Sequence, residues 1–119
     1  MNLDELARKI AGVGIPGLVL LIAVSATGYT GAAAVTTALA AFGGPLGMAG
    51  GVGTLVLIGL ISDGIAKFGV GAILGAVLDR LVEEGYSQED MVQKIDSYPI
   101  TEGLKLKLKK RIDGYFDEN

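Results

Sequence analysis

The feature that most constrains this chain is a stretch of 53 residues, from Ile10 to Ser62, that contains no charged side chain. A bilayer-spanning helix needs roughly 20 apolar residues, so the stretch is long enough for two spans joined by a tight turn. The helices of a soluble domain each need a polar face toward water, and a small soluble domain would rarely avoid charge for so long. The pattern therefore favours a bilayer-inserted state over a permanently soluble one.

Composition limits the functions that the chain can have. Its 119 residues are enough for one small domain. The net charge of −3, without a basic face studded with aromatic residues, argues against nucleic-acid binding. The absence of cysteine and histidine removes the thiolate and imidazole groups that serve as nucleophiles, bases and metal ligands. No two carboxylates converge in the apolar region, so we expect no enzymatic activity, no metal and no cofactor.

Residues 1–11 are predicted to form a short amphipathic lead-in helix. Asn2 is a candidate N-cap, Asp4 and Glu5 follow in the first turn, and apolar residues recur at helical spacing. The two acids dilute the basic N-terminal end, and the apolar character continues far past the core of a signal peptide. We therefore expect this segment to be retained.

The sequence GVGIPG, from Gly12 to Gly17, matches the G-x-G-x-x-G fingerprint of dinucleotide-binding folds. That fingerprint requires a strand before it and an acidic residue about twenty positions later. The preceding segment is predicted to be helical, and the residues near Thr36 are uncharged. We interpret the match as accidental.

Residues 12–78 are predicted to form a glycine- and alanine-rich apolar helical hairpin, inserted in a membrane. The first helix is expected from about Ile15 to Phe42, and the chain is strongly apolar again from Thr54 to Leu78. Small residues in the second half of the first helix let helix backbones approach closely where packing drives association.

Several glycines in this region are spaced four residues apart, which is typical of a close helix-packing surface. For the glycines near Pro45, the alternative is that they lie in a loop. The predicted helix-packing glycines are Gly43, Gly47, Gly51, Gly71 and Gly75.

Asp63 and Lys67 place an acid and a base four residues apart, on one face of a helix in otherwise apolar sequence. In hydrocarbon each unpaired charge costs about 2.5 to 3.5 kcal/mol, so pairing would be close to obligatory. One hypothesis is a polar path through an oligomer. The other, which we favour, is a membrane boundary where Lys67 extends to the lipid headgroups and residues 65–78 lie shallow or re-enter.

Residues 79–119 form a polar tail, and within it residues 87–116 are predicted to fold as a helical hairpin. Ser87 is a candidate N-cap with acids behind it, a proline at position 99 ends the first helix, and Thr101 can cap the second. The apolar stripe of the second helix comprises Leu104, Leu108, Ile112 and Tyr115 or Phe116. The predicted fold class is thus all-α.

Basic residues flank the apolar region on both sides, which places both termini in the cytoplasm by the positive-inside rule. Arg8 and Lys9 precede the first apolar helix, and most of the remaining basic residues follow the last one. A basic cluster near the C-terminus is predicted either to bind lipid headgroups or to form a solvated helix face. It comprises Lys105, Lys107, Lys109, Lys110 and Arg111.

Four features follow one another in the apolar region. They are a G-x-T-G-A turn at Gly28 to Ala32, an alanine run behind it, a glycine cluster from Gly43 to Gly53 and a closing apolar helix. With these features, Thr27 to Leu78 resembles the interferon-alpha-inducible family of small hydrophobic proteins. The resemblance implies a membrane protein that acts in antiviral defence and cell-death control, without catalytic residues. The tail from Ser87 departs from the family's pattern.

The apolar hairpin is also similar to those of holins, bacteriocins and pore-forming toxins. We therefore expect a homo-oligomeric membrane protein that alters the permeability of a lipid bilayer. The alternative is a non-catalytic membrane anchor whose residues 87–116 recruit a protein partner.

Overall fold

The computed structural model describes residues 1–27, 45–98 and 100–118, and for residues 26–27 and 45–55 it describes the backbone alone. Within these ranges the chain forms six α-helices and no β-strand, which confirms the all-α class. The helices are α1 (Leu3–Gly12), α2 (Ile15–Thr27), α3 (Pro45–Phe68), α4 (Val70–Glu83), α5 (Gln88–Ser97) and α6 (Glu102–Glu118).

Helices α1, α5 and α6 begin at the capping residues that the sequence predicts. Asn2 caps α1, because its Oδ1 accepts a hydrogen bond of 2.8 Å from the backbone N–H of Glu5. Ser87 and Asp90 form a reciprocal capping box at the start of α5, and these hydrogen bonds lower the pKa of Asp90. The Thr101 hydroxyl accepts from the Leu104 N–H at 3.2 Å at the start of α6.

Helix α2 lies at the centre of the fold and contacts each of the five other described helices. Every side chain from Leu18 to Val24 is at most 2% exposed. A helix that is apolar on all sides suits either a protein core or a membrane span. In this structure the predicted span LVLLIAV is enclosed by the chain's own helices.

Four of the surrounding helices, α1, α4, α5 and α6, carry charged residues and turn their apolar faces toward this core. Charged residues occupy the outer side of α1 and α4, and the inner sides are closed by aliphatic side chains. The buried residues that these helices contribute are Leu6, Ala7, Ile10 and Ala11 from α1, Ile73, Leu74, Val77, Leu78 and Leu81 from α4, Met91 and Ile95 from α5, and Leu104, Leu108 and Ile112 from α6.

Two sharp bends shape the apolar half of the chain. The stretch from Thr54 to Leu78 is not one helix, because the chain turns by 118° between α3 and α4 at Gly69, whose φ is +83°. Glycine suits this position since it adopts positive φ without a Cβ clash. A second bend, of 119°, separates α1 from α2.

In the part of the chain that is described, no single helix has both the length and the hydropathy of a membrane crossing. Two pairs of consecutive helices have that length and hydropathy when the two helices of a pair are counted together, although each pair is sharply bent. The pairs are Leu3–Gly12 with Ile15–Ser25 and Val56–Phe68 with Val70–Glu83.

The C-terminal helices α5 and α6 pack against each other as the predicted polar hairpin. The apolar stripe of α6 is buried at Leu104, Leu108 and Ile112, whereas Leu106 on the outer side is 59% exposed. Both helices also contact α2. The hairpin is therefore part of the shell around the central helix.

Candidate functional site

The charged residues Asp63 and Lys67 lie exposed on the last two turns of α3, just before the bend at Gly69. Among the described residues no ion pair joins them, and the Lys67 ammonium instead lies 5.9 Å from the centre of the Phe68 ring. Both residues line a cleft of about 180 Å³ that also contacts Met1 and Leu6. Their role in a polar path or at a membrane boundary stays a prediction.

The charge pair can be tested by exchanging its partners. If the two charges pair in a low-dielectric site, Asp63→Ala or Lys67→Ala leaves a stranded charge, so each single variant should lower dye release from liposomes more than the exchanged double variant does. At a wet boundary each charge is solvated separately. Equal dye release from all three variants would exclude the polar path.

The predicted helix-packing glycines have different positions in the structure. Gly43 lies outside the described residues, and Gly47 and Gly51 lie in the part of α3 whose backbone alone is described. Among the described residues outside the same helix turn, no atom lies within 4 Å of a Cβ added at Gly71 or Gly75. No described neighbour approaches either glycine closely, and their role in helix packing stays a prediction.

Close approaches within the chain occur instead at glycines that sequence reasoning did not assign to packing. A Cβ at Gly17 would overlap the Ile10 carbonyl oxygen, and one at Gly64 would overlap the Leu6 side chain. Gly17 belongs to the GVGIPG match, which follows helix α1 and not a strand. The proline next to Gly17 pointed to a helix start, but no pattern in the sequence identified Ile10 as its neighbour.

The basic cluster of α6 divides into two groups that face different neighbours. Lys105 and Lys109 face α5, where the Lys105 Nζ donates to the Asp96 carbonyl oxygen and the Lys109 Nζ donates to Asp96 Oδ1, each at 2.9 Å. Lys105 also lies 3.6 Å from Glu102 Oε1. The Asp96 carboxylate raises the pKa of Lys109. These two lysines therefore connect the hairpin helices.

The other three cations, Lys107, Lys110 and Arg111, line a cleft between α2, α4 and α6. We call it the basic cleft. Its volume is about 440 Å³, and the other described residues that line it are Ile22, Ser25 and Val70. The predicted headgroup cluster is thus one cleft-lining group and one group that is engaged within the fold.

A tyrosine–carboxylate contact attaches the end of α6 to α4. The Tyr115 hydroxyl donates a short hydrogen bond to Asp79 Oδ1, and the Tyr115 ring meets Phe116 edge-on at 5.1 Å between centroids. Partial burial and the carboxylates of Asp79 and Glu83 raise the pKa of Tyr115 from 10.0 to about 12.

This contact predicts a late tyrosine titration. Because the folded pKa is raised, the stabilising contribution of Tyr115 is complete below pH 10 and is lost as the pH rises toward about 12. Absorbance of tyrosinate should show a step with a pKa near 12 that Tyr115→Phe removes and that the control variant Tyr86→Phe keeps. If both variants keep that late step, the assignment to Tyr115 is wrong.

Other chemistry-bearing groups are dispersed over the described surface. No group of three or more histidine, cysteine or carboxylate residues within the described ranges is placed to hold a metal ion. The Ser62 hydroxyl is buried in α3 and has no hydrogen-bond partner among the described residues. The hydrogen bonds and ion pairs of charged side chains that connect different described helices lie in the α5–α6 hairpin and at its contact with α4.

The chain matches no protein-family model, no curated protein and no solved structure. The resemblance of Thr27 to Leu78 to the interferon-alpha-inducible family therefore stays a prediction.

Proposed function

We propose that this chain is a small, self-associating membrane protein that alters the permeability of a lipid bilayer. The observation that carries the proposal is α2, a helix that has no polar face and is covered by the five other described helices. If those helices separate, α2 exposes apolar surface on every side. A bilayer is the environment that accepts such a helix at the lowest free-energy cost.

The two bent helix pairs supply a route to insertion. The pair Leu3–Gly12 and Ile15–Ser25 covers 23 residues from end to end, and Val56–Phe68 with Val70–Glu83 covers 28. At 1.5 Å per residue, straightened pairs would be about 34 and 42 Å long, against a hydrocarbon core of about 30 Å. Gly14 and Gly69, which have positive φ at the two bends, are able to adopt helical angles as well.

The proposal extends to topology and biological setting. Basic residues on both sides of the apolar region favour cytoplasmic termini. The resemblance to the interferon-alpha-inducible family, together with the likeness to holins, bacteriocins and pore-forming toxins, favours pore formation in antiviral defence or programmed cell death.

Dye release from liposomes tests the central claim. The purified chain should release an entrapped dye from vesicles that contain anionic lipid, and the membrane-bound fraction should resist extraction with alkaline carbonate. A chain that binds vesicles and leaves them sealed would contradict the permeability claim. A chain that stays in the supernatant without detergent would contradict insertion itself.

Self-association is tested at Gly71 and Gly75. Replacing both with leucine should weaken cross-linked oligomers because larger side chains push helices apart. No described neighbour lies within 4 Å of either added Cβ, so circular dichroism should show an unchanged monomer fold. Unchanged cross-linking would show that neither glycine lies in the contact between copies.

The alternative function is a non-catalytic membrane anchor whose residues 87–116 recruit a protein partner. The apolar stripe of α6 at Leu104, Leu108 and Ile112 is already buried within the chain. A partner would therefore have to use the outer face around Leu106. Sealed liposomes together with a partner that requires Leu106 would favour this alternative.

A further inference from the structure

The basic cleft between α2, α4 and α6 carries positive charge that no ion pair of the described residues neutralises. Among the described residues, the ion pairs of α6 involve Lys105 and Lys109, and neither involves Lys107, Lys110 or Arg111. The described residues that line the cleft include no carboxylate. Residues 28–44, which lie outside the description, contain no acidic residue. The three cations thus face a space in which an anion is favoured.

The opposite wall of the basic cleft is apolar. Ile22 belongs to the buried central helix and is 2% exposed, and Val70 is half-buried at the first position of α4. Between them Ser25 donates its hydroxyl proton to the Ile22 carbonyl at 2.9 Å, which leaves the oxygen's lone pairs as acceptors. A ligand that fits this cleft combines an anionic end with a hydrocarbon end.

The start of α4 adds to the same potential. Its N-cap is Gly69, which provides no side-chain hydrogen bond to the first turn. The N-terminal amides of a helix carry partial positive charge. This contribution is smaller than that of the three cationic side chains, and it has the same sign.

We propose that the basic cleft binds a phosphate-headed amphiphile. The phosphate is held among Lys107, Lys110 and Arg111, with the guanidinium able to donate two parallel hydrogen bonds. The first methylenes of the chain lie against Ile22 and Val70. The cleft volume of about 440 Å³ is within the usual range for small-molecule sites. This inference deepens the proposed membrane function, on which its biological meaning rests, by naming the lipid chemistry.

The ligand class is tested with three probes. Calorimetry should show that monomeric dodecyl phosphate binds at least tenfold more tightly than inorganic phosphate, because only the former contacts the apolar wall. Flotation should show stronger binding to phosphatidylcholine vesicles with phosphatidic acid than to vesicles without it, and dodecyl phosphate should compete. Equal binding of inorganic and dodecyl phosphate would mean a simple anion site and would overturn the proposal.

Two double variants on the same helix separate a defined cleft from general attraction. Lys107→Gln/Lys110→Gln removes two cleft charges, and Lys105→Gln/Lys109→Gln removes two charges that face α5. About 1 kcal/mol per basic residue at a membrane surface converts to about a 30-fold loss of vesicle affinity for the first variant. The matched control should lose less than about threefold. Equal losses of vesicle affinity in the two double variants would mean that binding depends on diffuse electrostatic attraction. That result would contradict a binding site in the basic cleft.

The proposed lipid binding and the proposed permeability function can be contradicted separately. If no vesicle releases dye but the two double variants still differ in dodecyl phosphate binding, the permeability function is wrong and the cleft stands. If vesicles leak but both double variants bind dodecyl phosphate like the unaltered chain, the cleft is wrong and the permeability function stands.

Discussion

Replacing Leu21 with aspartate should destabilise the fold by at least about 4 kcal/mol, which is a large part of the 5 to 15 kcal/mol available to a typical domain. Leu21 is 0% exposed in the middle of α2. The five other described helices contact α2, so a carboxylate at this position is removed from water. Denaturant unfolding followed by circular dichroism measures the loss.

The matched control is Leu106→Asp, which introduces the same side chain on α6. Leu106 is 59% exposed, so the added carboxylate stays hydrated and the expected change is within about 0.5 kcal/mol. A small loss at Leu21 would mean that α2 is not enclosed in solution. A charged side chain at the centre of a bilayer costs about 2.5 to 3.5 kcal/mol of insertion free energy. Leu21→Asp should therefore reduce dye release as well.

The helix starts in the polar parts of the chain were predictable because they depend on neighbours a few residues away. Asn2, Ser87 and Thr101 all act as the N-caps that their positions indicate. The apolar stripe of α6 was predictable for the same reason, since its period identifies the inner face before any partner is known.

The environment of the apolar segments was not predictable in the same way. An all-apolar helix has no face that distinguishes a protein core from lipid, so LVLLIAV fits both. The bend at Gly69 also left no clear signal, because an isolated glycine is tolerated within a helix and is common in this chain.

The division of the basic cluster needed tertiary information. In the sequence Lys105 to Arg111 form one run of charge, and both a headgroup site and a solvated face fit it. Helical geometry places Lys105 and Lys109 on one flank of the buried stripe and Lys107 and Arg111 on the other. Which flank meets a carboxylate depends on Asp96 in the neighbouring helix, and no local pattern identifies it.

Substitution by alanine should separate a glycine at a close approach between helices from a glycine with open space beside it. A Cβ at Gly17 would overlap the Ile10 carbonyl oxygen and would lie 3.0 Å from the carbonyl carbon. Both are backbone atoms of Ile10, whose side chain is fully buried. The backbone at Ile10 therefore cannot move away without disturbing the core. We expect Gly17→Ala to cost about 2 to 3 kcal/mol through overpacking at the α1–α2 corner.

Gly75→Ala is the matched substitution within α4, and we expect it to have the opposite sign. Gly75 is partly exposed in the middle of the helix, and no described neighbour lies within 4 Å of the added methyl group. Alanine should therefore stabilise the chain by about 0.5 to 1 kcal/mol through helix propensity. Denaturant midpoints of the two variants, measured under conditions where the chain is monomeric, test the difference. A stabilising Gly17→Ala would contradict the close approach of α1 and α2, whereas a destabilising Gly75→Ala would place a neighbour against that face of α4.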